Sequence, residues 1–80
     1  MPSEKEILNV IKVAFEMNRV VNINDNINTI EEWDSLGHLS MLINIDKAVG
    51  GKAAGIRELG KAESIKEIIE ALRKNNLIEG

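Results

Sequence analysis

Trp33-Asp34-Ser35-Leu36-Gly37-His38-Leu39-Ser40-Met41-Leu42-Ile43-Asn44-Ile45-Asp46-Lys47-Ala48 is the stretch on which the fold turns. Asp34 is a good N-cap residue, since its carboxylate can accept a backbone N–H that the first helical turn leaves free. The pattern predicts a helix from there through Ala48, ended by Gly50 and Gly51. Leu36, Leu39 and Ile43 share one stripe with Leu42 beside it, while Met41 and Ile45 fall elsewhere. A helix apolar around more than half its girth is either deeply buried or turns its outer apolar residues to a partner.

Before this helix, residues 18–34 are rich in Asn and Asp, which compete for backbone hydrogen bonds and favour turns, so a long loop is expected. Val20, Val21, Ile23, Ile27 and Ile30 are too apolar for a free linker and imply that the loop is pinned across the helices. A short strand over Val20 to Ile23 has no evident partner. Upstream, Ser3 and Glu6 form a capping box, and Ile7, Leu8, Ile11, Ala14 and Phe15 recur at helical spacing until the pattern breaks at Asn18. Downstream, Gly55 and Gly60 bracket at most a weak helical turn. Ser64 and Glu67 then form a second capping box, Ile65, Ile68, Ile69 and Leu72 give a core stripe, and Arg73 and Lys74 complement the helix dipole. The expectation is one all-helical domain over residues 1–80: three main helices, one short weak one, and a long loop between the first two.

At 80 residues the chain buries little more than half of its unfolded surface, which leaves no second core and disfavours a large internal active site. With 44% hydrophobic and 29% charged residues it should nevertheless fold. The absence of cysteine removes disulfides and thiol nucleophiles, and one histidine cannot build a zinc site, so no metal is expected. A formal net charge of -3 argues against general nucleic-acid binding. No leader pattern follows Met1 and no apolar run approaches the ~20 residues of a bilayer span, so neither export nor a membrane role is expected and the cytoplasm is the default location. Charge is uneven: Val20 to Asp46 carries five acids and no Lys or Arg, whereas Lys47 to Lys61 is basic.

Trp33, Asp34, Ser35 and Leu36, where the loop becomes a helix, carry a resemblance to the acyl carrier protein family. In that family an Asp-Ser-Leu motif opens the second helix and bears 4′-phosphopantetheine on the serine. The motif alone is weak, but the capped first helix, long loop, weak third helix and Ser64-Ile65 start of the last helix also match, so the resemblance spans nearly the whole chain. A serine at the first helical position fits the chemistry, because the helix dipole and free amides there favour an anionic ester.

The resemblance implies a carrier, not an enzyme. A phosphopantetheinyl transferase would move the arm from coenzyme A to Ser35 with magnesium, and the arm's thiol would hold acyl groups as thioesters for fatty acid, polyketide or related specialised metabolism. Asp34 would fix the serine's direction and Leu36 would be the first apolar contact beside the arm. Leu36, Leu39 and Met41 are the expected interface for acyl-loading and acyl-processing enzymes, and the carrier is expected to be a monomer. Phe15, Leu39, Leu42, Ile43, Leu59, Ile65, Ile68 and Ile69 read as core that could part to shelter an acyl chain.

Departures from the family's pattern accompany the match. Gly37, His38, Ser40 and Lys47 take the outward-looking positions of the second helix, and Asp46 is its only acid, where fatty acid carriers show an acidic face to basic enzymes. Glu32 stands where a glycine is often found, and Trp33 replaces a small residue.

Competing readings are an unmodified helical interaction module using the apolar second helix, an aminoacyl or peptidyl carrier, and a simple helix cap formed by Asp34 and Ser35. A Ser35-His38 nucleophilic pair lacks an orienting acid and oxyanion donors, and His38 reads instead as a surface or partner-facing residue. Trp33 reads as an anchor rather than a recognition residue. Asn22, Asn24 and Asn26 alternate like a calcium loop, but Ile27 and Trp33 stand where the turn glycine and the bidentate glutamate are needed. Gly50-Gly51-Lys52 lacks the glycine spacing, strand and Ser or Thr of a phosphate loop.

Overall fold

A computed structural model describes residues 1–79. Four helices follow in order, α1 (Glu4–Ala14), α2 (Ser35–Ala48), α3 (Arg57–Lys61) and α4 (Ile65–Lys74), and the described residues contain no strand. The all-helical expectation holds, and the Val20 to Ile23 segment is loop.

The helix starts follow their caps. Ser3 Oγ accepts the Glu6 N–H and Glu6 Oε1 accepts the Ser3 N–H, both at 3.1 Å, completing the capping box of α1. Asp34 caps α2 and Ser64 caps α4. The second box is only half formed, because Glu67 Oε1 takes the N–H of Glu63 at 2.9 Å and the hydroxyl of Ser64 rather than the Ser64 amide.

α1, α2 and α4 end alike, with a left-handed residue whose N–H reaches back into the last turn while the next N–H reaches one residue further. Gly50 serves α2 with φ 70, but Glu16 and Asn76 take the same conformation at φ 55 and 58. Met17 N–H closes onto the Lys12 carbonyl at 3.0 Å, so α1 stops before the apolar spacing runs out, turning Phe15 and Met17 into the core. Gly60 does not bound α3 but lies within it.

Ile7 and Ile11 of α1, Met41 and Ile45 of α2, Leu59 of α3, and Ile65, Ile68, Ile69 and Leu72 of α4 form one aliphatic core. Val21, Ile30 and Trp33 complete it from the loop, and Leu77 and Ile78 from the C-terminal segment. Ser40 Oγ donates to the Ala14 carbonyl at 3.3 Å at one end, and Met1 and Pro2 share a surface pocket with Ala48 and Val49 at the other, so α1 and α2 run antiparallel. At the other end Glu4 pairs with Arg73 at 3.0 Å, which places the end of α4 beside the start of α1.

The loop is pinned as its apolar residues imply, and its polar residues do the pinning. Buried Asp25 receives both guanidinium nitrogens of Arg19, at 2.8 and 3.0 Å, together with the Asn22 N–H and the Thr29 hydroxyl, each at 2.8 Å. Those Arg19 bonds, outweighing burial, and then the Asn22 and Thr29 bonds hold the Asp25 carboxyl far below its ordinary value. The Asp25 carbonyl accepts the Ile65 N–H and the Glu63 carbonyl accepts the Ile27 N–H, which ties the loop to the start of α4. Asn22 and Asn26 each accept the backbone N–H two residues on, at 2.8 and 2.7 Å, so two of the three asparagines of the alternating run close turns.

Candidate functional site

Asp34 organises the front of α2. Its Oδ1 accepts the Gly37 N–H and its carbonyl accepts the His38 N–H, both at 2.8 Å. Ser35 is the first helical residue and is exposed. Among the described residues neither its hydroxyl nor the N–H groups of Ser35 and Leu36 find a partner. The two neighbours therefore have separate roles: Asp34 is the cap, and Ser35 takes no part in capping.

Gly37 lets the loop approach this closely. A Cβ at Gly37 would overlap the Glu32 carbonyl oxygen and lie 3.2 Å from Phe15 Cδ1. The backbone of residue 32 packs on the first turn of α2, and Trp33 is thereby set into the core, 4% exposed, with its ring centroid 5.5 Å from that of Phe15. Trp33 is the anchor its residue type suggests.

His38 is not a free surface residue. Trp33 Nε1–H donates to His38 Nδ1 at 2.9 Å, and His38 Nε2 lies 3.1 Å from the Gly60 carbonyl. An indole N–H can only donate, so Nδ1 is the unprotonated nitrogen and Nε2–H donates to Gly60. With both ring nitrogens engaged, a Ser35-His38 pair has no hydrogen-bonding nitrogen to spare. Trp33, His38, Gly60 and Ser35 border a surface cleft of about 560 Å³, which Ile27 and the charged Lys61 and Glu63 also line.

The outward face of α2 differs from the expected one. Met41 and Ile45 are fully buried, whereas Leu36, Leu39 and Ile43 are 79%, 55% and 47% exposed. Met41 therefore cannot belong to a docking surface, and Leu39 and Ile43 cannot line an interior, because they sit on the opposite side of the helix from Gly37, where α2 meets the loop. Leu42 is half-buried at the edge. Phe15, Leu59, Ile65, Ile68 and Ile69 do form one closed core.

Three of the four positions expected to look outward turn inward instead. Gly37 faces Glu32, His38 bonds Trp33 and Gly60, and Ser40 bonds Ala14, leaving only Lys47 exposed. Asp46, the only acid in α2, spends its carboxylate on the Ala53 N–H at 2.9 Å. What α2 presents to solvent is thus Ser35 followed by Leu36, Leu39 and Ile43, with Lys47 and Ala48 at its far end.

The Trp33-His38-Gly60 chain is the feature that reading along the sequence misses, because its last bond spans 22 residues. The available signal was the placement of Gly37, Ser40, Met41 and Asn44 on one side, small and polar groups marking where the helix packs closely.

The chain has no significant match to any protein-family model, curated protein or solved structure. No described helix is long and apolar enough to cross a membrane.

Proposed function

We propose that this chain is a carrier protein in which a transferase attaches 4′-phosphopantetheine to Ser35 Oγ and the arm's thiol carries acyl groups as thioesters. The observation that carries this reading is the serine itself: exposed, first in a 14-residue helix, and without a hydrogen-bond partner among the described residues. A serine needed only as a helix cap would be engaged with the backbone, and here Asp34 fills that role.

The surroundings suit a phosphodiester. The unpaired amides of Ser35 and Leu36 and the positive end of the helix dipole favour an anion. The Asp34 carboxylate is committed to the Gly37 amide, and Lys61 supplies a cation on the same cleft. Ser35, Asp34 and this cleft would hold and orient the arm, which brings the reactive thiol when attached.

Leu36, Leu39 and Ile43 form the surface on which loading and processing enzymes would dock. With Asp46 turned inward, recognition through this face rests on apolar contact, which fits a specialised carrier of fatty acid, polyketide or related metabolism better than one read by acidic steering. The same stripe is what an unmodified interaction module would use, and attachment of the arm separates the two. Incubation with coenzyme A, magnesium and a broad-specificity phosphopantetheinyl transferase should add one arm to the protein and none to Ser35→Ala.

A further inference from the structure

The interior beside Ser35 is closed by one bonded chain. Trp33 fills the space between the loop and α2 and donates to His38, and His38 donates to Gly60 of α3. Among the described residues this last bond is the only side-chain hydrogen bond between α2 and α3. The imidazole lies nearly parallel to the indole, 16° between planes with centroids 6.1 Å apart, so the two rings pack as one plug.

Trp33 belongs to one buried cluster with Met41, Leu59, Ile65 and Ile68, each of these four at most 2% exposed. The Gly60 carbonyl sits near the end of a five-residue helix, where carbonyls lack intrahelical partners, and His38 supplies the missing donor. Opening a path from the cleft to the core would bring the indole into water and break both hydrogen bonds of the chain together.

We propose, on the carrier reading above, that the Trp33-His38-Gly60 chain is a clasp that bars the interior to cargo and thereby selects short acyl groups, which rest in the surface cleft between Ile27 and Lys61. The cleft suits such cargo because its lining is mixed, with Ile27, Trp33 and Ala62 apolar and Lys61 and Glu63 exposed to water. A long alkyl chain leaving Ser35 has no covered path and would remain exposed.

The test uses the full chain loaded from acetyl- and from octanoyl-coenzyme A by a transferase with magnesium. In each loading Ser35 Oγ forms a new bond to the phosphorus of the acylated arm, the phosphoanhydride bond breaks to release adenosine 3′,5′-bisphosphate, and the hydroxyl proton passes to solvent. Intact mass first establishes that one arm is present. Both loaded forms are then melted, and magnetisation transfer from the alkyl protons to the protein's methyl groups is measured.

The clasp predicts that acetyl and octanoyl forms melt together and that octanoyl protons show no transfer to Leu59 or Ile68. In His38→Ala the octanoyl form should melt several degrees above the acetyl form. A wild-type octanoyl form that melts several degrees higher and contacts those methyls would overturn the clasp, whether or not the variant folds. An octanoyl gain no larger in His38→Ala than in the wild type would also overturn it. Failure of the carrier reading appears earlier and separately, as an unchanged mass with either donor.

Discussion

The carbonyl oxygen of Glu32 occupies the space that a side chain at Gly37 would fill. This contact sets the loop's last turn against α2 and so fixes both Trp33 and the direction of Ser35. Gly37→Ala should cost about 1–3 kcal/mol through overpacking, despite the better helix propensity of alanine. Urea unfolding of the two proteins measures it, and a neutral or stabilising result would show that the loop can retreat without loss.

Glu16 holds a left-handed conformation, φ 55, at the position where α2 has Gly50. Replacing it removes the Cβ penalty while Met17 N–H still reaches Lys12. Glu16→Gly should therefore stabilise the fold by about 0.5–1 kcal/mol, after the greater entropy of glycine in the unfolded chain is subtracted. Thermal melting at neutral pH reads the gain, and a lower melting temperature would contradict it.

Asp25 makes part of the stability depend on acid. Its folded value is depressed below the ordinary 3.8, so its contribution is complete above about pH 4 and fades as pH falls from there through the folded value. Asp25→Asn should lose about 2–3 kcal/mol at pH 7 by giving up charged hydrogen bonds, and its stability should change less between pH 5 and pH 2 than that of the parent. Parallel pH profiles for the two proteins would rule out this role.

Trp33 and His38 should act as a unit. Trp33→Phe keeps an aromatic ring but removes the donor to His38 Nδ1, and His38→Ala removes the acceptor. The double variant should cost less than the sum of the singles by about 0.5–1.5 kcal/mol in denaturant unfolding. Strict additivity would mean that the 2.9 Å bond contributes nothing net.

The helix starts are legible along the sequence because Ser3, Asp34 and Ser64 act within four residues of themselves, and Gly50 marks a stop because its conformation suits no other residue so well. The end of α1 is not, since Glu16 is an ordinary helix former held in an unusual conformation by the burial of Phe15 and Met17. The facing of α2 is also hidden: Leu36, Leu39 and Ile43 form as good an apolar stripe as Met41 and Ile45, and periodicity cannot choose between them. Tertiary contact chooses, through the approach of Glu32 to Gly37. Ser35 at the helix front was readable from its neighbours, whereas the tie from His38 to Gly60 joins elements that only the folded chain brings together.

Attachment of a phosphopantetheine arm to Ser35 Oγ is decided by the intact mass of the protein after exposure to coenzyme A, magnesium and a broad transferase. The parent should gain a single arm, as should His38→Ala, and Ser35→Ala should gain none. A parent mass left unchanged under conditions that fully convert a known carrier would contradict it.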